Sequence, residues 1–167
     1  VATLTNYANA QHELKQYDAA VLSYDKALSL QPDFAQAWMN KGVALHELRR
    51  YDEALTHLDK ALSLAPDFYE AWAQKGILFN TLKHHSQSAK CFLQALDFCN
   101  VDSYFMGKAH HQMMLVCDWA NYENITNEIF SRIHQKRKCA EPFGLQGIAT
   151  SEELLRDCAE IYSNNIF

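Results

Sequence analysis

The sequence predicts an all-α protein built from antiparallel helix pairs, and three observations carry that expectation. Landmark residues recur at a spacing of 34: Tyr17 and Tyr51, Pro32 and Pro66, Phe34 and Phe68, Trp38 and Trp72, Gly42 and Gly76. Aligning the 26 positions from Tyr17 to Gly42 with those from Tyr51 to Gly76 leaves 16 identities, including the block Asp25–Leu30 against Asp59–Leu64. Within each repeat the apolar residues follow helical spacing, as in Ala54, Leu55, Leu58, Ala61, Leu62 and Leu64. The 5 Gly and 3 Pro in 167 residues leave few places for tight turns between strands.

Two helices fit each period, which divides the chain into units at 1–34, 35–68 and 69–102. Pro32 and Pro66 should close the second helix of a pair, because proline has no N–H to donate to the helical ladder. Asp33 and Asp67 then stand where an N-cap for the following helix is expected, with Gln36 and Glu70 three residues on. The helical glycines Gly42 and Gly76 cost about 1 kcal/mol each relative to Ala, so a close helix approach should compensate, while Trp38 and Trp72 fill the space between repeats. A degenerate fourth pair is expected over 103–137, carried by Phe105, Ala109, Met113 and Val116 and then by Tyr122, Ile125, Ile129 and Ile133. The remainder, 138–167, reads as a loop with Pro142, Gly144 and Gly147, followed by a capping helix that opens on Thr150 and Glu153.

These residues resemble the tetratricopeptide repeat. The second repeat carries the family pattern on Trp38, Gly42, Leu45, Tyr51, Ala54, Leu58, Ala61 and Pro66. The first carries it on Ala8, Tyr17, Ala20, Tyr24, Ala27 and Pro32, with Leu4 in the place of Trp. The third keeps Trp72, Gly76, Phe79, Phe92, Ala95 and Leu96 but has His85, Ser88 and Asn100 where Tyr, Ala and Pro are expected. The resemblance implies a right-handed superhelix whose first helices line a concave, peptide-binding face. Position six of successive repeats holds Asn6, Asn40 and Gln74, with Lys108 next. An amide side chain can both donate to and accept from a peptide backbone, and the series is similar to the asparagine ladder of O-linked N-acetylglucosamine transferases. Asn9 could add a contact one turn along, although Val43 and Ile77 occupy its equivalents. A clamp for a C-terminal carboxylate is not expected, because position five holds Thr5, Met39 and Ala73 rather than cations.

Beyond the repeats, Cys117-Asp118-Trp119 and the Pro142-Phe143 loop, with Leu154 to Ile161 after it, are similar to the linker ahead of the catalytic domain in bacterial SPINDLY-like and O-linked N-acetylglucosamine transferase-like glycosyltransferases. That resemblance implies a protein partner in the concave groove and an intramolecular catalytic domain lying past this sequence; Trp119 and Phe143 would lock the linker onto the last repeat. A standalone scaffold for complex assembly is the alternative. The absence of an initiator Met and of a polar tail suggests a fragment of something longer.

The net charge of -5 and pI near 5.9 argue against binding to nucleic acid or anionic membranes. No apolar run approaches the roughly 18 residues that span a bilayer, and no targeting signal is visible, which points to the cytoplasm. The five cysteines form no C-x-x-C pair and read as reduced thiols. His84-His85 and His110-His111 are adjacent pairs, which diverge on a helix and do not chelate as i, i+4 residues would; they read as turn residues. A Cys91, Cys99, His110 and His111 site fits no zinc spacing. Cations from Arg132 to Lys138 complement a helix C-terminus. No phosphate-loop, nucleophile-elbow or zinc-protease motif occurs, so neither catalysis nor a cofactor or metal is expected in this segment.

Overall fold

A computed structural model describes residues 1–98, 105–115, 122–135, 156–157 and 159–160. Among these residues the regular elements are all helices: α1 (Ala2–Glu13), α2 (Tyr17–Leu30), α3 (Ala35–Glu47), α4 (Tyr51–Leu64), α5 (Tyr69–Thr81), α6 (His85–Phe98), α7 (Phe105–Leu115) and α8 (Tyr122–His134). The all-α expectation is met, and α1 to α6 follow the 34-residue period. Two units divide the chain, Val1–Leu78 and Phe79–Phe167.

In the first unit α1 packs on α2, α2 on α3, and α3 on α4, with α3 also touching α1. Alanine makes these approaches possible: Ala8, Ala20, Ala27, Ala37, Ala44, Ala54, Ala61 and Ala71 are all fully buried. The larger core residues Tyr24, Leu45, Leu58 and Leu78 pack among them. Gly42 is needed for the same reason. A Cβ there would meet Leu58 Cγ at 3.0 Å and the Ala54 carbonyl oxygen at 3.2 Å. Gly76 is buried at the equivalent place on α5.

The turns after α1, α3 and α5 use the same backbone device. Lys15, Arg49 and Lys83 adopt φ of 59°, 59° and 62°, the left-handed region that glycine usually occupies. The Lys15 N–H donates to the His12 carbonyl and the Gln16 N–H to the Gln11 carbonyl, both at 2.8 Å, the paired bonds of a Schellman turn. Arg49 to His46 with Arg50 to Leu45, and Lys83 to Asn80 with His84 to Phe79, repeat the arrangement. A cation at this position also faces the negative end of the preceding helix.

One expectation is corrected. Asp33 is not the N-cap of α3: Phe34 holds that position, with no side-chain cap bond. The Phe34 carbonyl accepts from the Ala37 and Trp38 N–H groups, and the Phe68 carbonyl accepts likewise from Ala71 and Trp72. The Pro-Asp-Phe turn runs one residue longer than the capping pattern assumes, and Gln36 is engaged elsewhere.

A three-part bolt joins neighbouring repeats. Lys41 on α3 donates to Asp25 on α2 at 2.7 Å and lies 6.0 Å from the centre of the Trp38 ring. Lys75 on α5 donates to Asp59 on α4 at 2.6 Å, 5.5 Å from the Trp72 ring. Trp38 and Trp72 in turn donate their indole N–H groups to the Pro32 and Pro66 carbonyls at 2.7 and 2.9 Å. Both tryptophans are partly exposed, so they clasp the repeat junction from its edge.

In the second unit α6 packs on α7 and α7 on α8. Ser88, Ala89, Cys91, Phe92 and Ala95 of α6, Ala109, His110, Gln112 and Met113 of α7, and Ile129 and Ile133 of α8 are among its buried residues. His110 is only 1% exposed and bonds through Nε2 to Thr126 Oγ1 at 2.9 Å, and His85 Nδ1 bonds to Gln112 Oε1 at 2.8 Å. The reading of His110 as a turn residue is therefore wrong. One further period places it in the register of Gly42 and Gly76, inside a helix pair. Cys91 is a buried thiol. Trp119, Phe143, the Cys-Asp-Trp motif and the Pro-Phe loop lie outside the described residues, as does most of the capping helix.

Candidate functional site

A cavity of about 290 Å³ opens in the first unit, lined by Asn9, His12 and Glu13 of α1, Tyr24 of α2, Met39, Asn40 and Val43 of α3, and Gln74 of α5. It forms because successive first helices present the same turn of their length to a common side, with Val43 in the register of Asn9 and Gln74 in that of Asn40.

A directed amide chain crosses one wall. Gln36 Nε2 donates to Asn40 Oδ1 at 3.0 Å, Asn40 Nδ2 donates to Asn9 Oδ1 at 2.9 Å, and Tyr24 Oη donates to the same Asn9 oxygen at 2.7 Å. The Asn9 oxygen is thus used twice, while its Nδ2 keeps its hydrogens for another acceptor. His12 stands on Tyr17 edge to face at 5.2 Å, and its Nε2 is buried without a hydrogen-bond partner. Burial, with Glu13 nearby, pushes the Tyr24 hydroxyl up to about 12. It stays protonated and serves as the donor that fixes Asn9. Glu13 is exposed and is the one formally charged residue in the lining, with no lysine or arginine beside it.

Of the residues expected to contact a peptide, Asn9, Asn40 and Gln74 therefore meet in one cavity. Asn6 is exposed and does not line it, and Lys108 sits half-buried on α7 in the second unit. Sequence reasoning missed Tyr24, His12 and Glu13. Tyr24 stands where the second repeat has Leu58, and that exchange of an apolar residue for a phenol beside two asparagines was the available signal.

Among the described residues no group of three potential ligands could hold a metal ion. No described helix is long and apolar enough to cross a membrane.

Helix pairs of this length, in this register, define an all-helical repeat fold. Residues 7–67 match the family model described as tetratricopeptide repeat, so that segment carries such repeats. No curated protein sequence is significantly similar to the chain. Solved structures with a similar fold include the MamA RS-1 ArsTM double mutant, at TM-score 0.69 and 20% identity over 80% of this chain and 75% of that one. Another is the first TPR of Spaghetti (RPAP3) bound to the HSP90 peptide SRMEEVD, at TM-score 0.65 and 16% identity over 70% and 93%. The Arabidopsis OM64 TPR domain is similar at TM-score 0.56 and 25% identity over 58% and 80%.

Proposed function

We propose that this chain is a protein-interaction module that binds an extended peptide segment in the α1–α2–α3 cavity. The observation that carries the reading is the Gln36–Asn40–Asn9–Tyr24 chain, which leaves the Asn9 amide hydrogens in the wall of a cavity large enough for several side chains. A peptide carbonyl would satisfy that amide, and a peptide N–H or C=O would satisfy His12 Nε2 according to its tautomer. The peptide held by the RPAP3 repeat, on a similar fold, supports the same use. Selecting peptides on the immobilised chain and titrating one binder against Asn9→Ala and Asn40→Ala tests it. A loss of about threefold to tenfold is expected for each, the range of one hydrogen bond. Unchanged affinity in both variants refutes the site.

The finer reading is that these repeats present protein substrates to a SPINDLY-like glycosyltransferase domain, in a cytoplasmic bacterial enzyme. It rests on the Cys117-Asp118-Trp119 and Pro142-Phe143 resemblance together with the Asn6, Asn40 and Gln74 register. Sequencing the gene past Phe167 tests it: a glycosyltransferase domain supports it, and a stop codon shortly after favours the standalone scaffold.

A further inference from the structure

We propose that the cavity selects the interior of an extended peptide bearing a lysine or arginine, read by Glu13, and does not take a terminal carboxylate. This rests on the peptide-binding reading above and adds the chemistry of the ligand.

Two features of the wall lead there. The amide chain runs in one direction, and its order consumes acceptors on the inside: the Asn9 oxygen takes both Tyr24 Oη and Asn40 Nδ2, and the Asn40 oxygen takes Gln36. What the amide chain itself leaves toward a ligand is the neutral Asn9 Nδ2 group, matched to a main-chain carbonyl, with the Gln74 amide and His12 Nε2 also in the lining. Tyr24 has already committed its hydrogen to Asn9, so it has none left for an anion. A carboxylate is held tightly by charged donors such as Arg or Lys, and neither lines this cavity.

The charge in the lining points the same way. Glu13 carries the site's one formal charge and makes no ion pair among the described residues. It would repel a terminal carboxylate or an acidic side chain and attract a cation. The RPAP3 repeat holds a peptide that ends in Glu-Glu-Val-Asp; Glu13 would repel such an end. Because Glu13 is exposed, a lysine beside it stays hydrated, and the preference should be modest, about twofold to fivefold, as for ion pairs in water.

Two randomised nine-residue libraries are selected on the full chain, one acetylated and amidated, the other with free C-termini. Binders are expected from the blocked library, enriched in Lys or Arg, and replacing that residue by Gln should weaken them about twofold to fivefold. Glu13→Gln should abolish the difference without altering the circular dichroism spectrum. Enrichment of Asp or Glu, binding confined to free C-termini, or a basic preference that survives Glu13→Gln overturns the proposal while leaving peptide binding in place. Selection of no peptide from either library overturns the peptide-binding reading and this proposal with it.

Discussion

The two units solve one packing problem in opposite ways. In the first unit the first helix of the second repeat gives way: Gly42 has no side chain, and Leu58 of the paired helix fills the space, 3.0 Å from where a Cβ would stand. Shifting that pair by 68 residues leads to His110 and Thr126, where the sizes are reversed and the large residue comes from the first helix. Ala8 and Tyr24 occupy the same places in the first repeat. The helix pair thus constrains a summed volume, and the identity of either residue is free if the other compensates. The cost of the histidine solution is a buried polar ring, which Thr126 satisfies.

Moving the second unit's solution into the first is the strongest way to break this comparison. Gly42→His alone should destabilise by about 3 kcal/mol through overpacking, and Leu58→Thr alone by a similar amount through a cavity. The double variant should recover at least about 1 kcal/mol of their sum in urea denaturation. Additive losses would show that the two sites do not share one volume.

The units also differ in charge. The Lys41–Asp25 and Lys75–Asp59 bolts have no successor, because Leu93 and Ala109 take the places of Asp and Lys one period on. Asp25→Ala strands Lys41, whose side chain is 11% exposed, and should cost about 1 to 2 kcal/mol. The loss is tempered because the lysine stem can slide its ammonium toward water. A change near zero would reduce the bolt to a surface pair.

Acid should bring the smallest effect, and it reaches both units. Burial holds His110 below the usual imidazole range, with His111 adding to the effect, and burial followed by Lys41 does the same to His57 beside Trp38. A histidine whose folded pKa is depressed contributes stability that is present above the unfolded value, near 6.5, and lost as pH falls below it. The midpoint of thermal unfolding should therefore fall between pH 7.5 and pH 5, and His110→Gln should shrink that fall. An identical acid dependence in the variant would assign it to other groups.

Much of the fold was legible because it depends on periodicity. Residues such as Ala54, Ala61 and Ala95 announce a close helix approach by size alone, and Pro32 and Pro66 mark helix ends by lacking a donor. The Schellman turns were not legible: lysine and arginine at Lys15, Arg49 and Lys83 give no hint of a left-handed backbone where glycine is the usual sign. The site was half legible. Register pointed to Asn40 and Gln74, but the role of Asn9 depends on Tyr24, which reaches it across a separation of 15 residues and is replaced by Leu58 in the next repeat. A rule that looks for repetition misses a contact made once.

The bolt has a consequence for how such a chain can grow. The segment from Asp25 to Leu58 opens on one carboxylate and stops just before the next, and it contains Trp38, Lys41, Gly42 and Leu58. Copying it in tandem would give the new link its own ion pair, its own indole latch onto Pro32 and its own glycine seat, with no residue left to invent. A single duplication within the gene therefore suffices to lengthen the stack, and the 16 identities across Tyr17–Gly42 and Tyr51–Gly76 are what a recent event of that kind would leave behind.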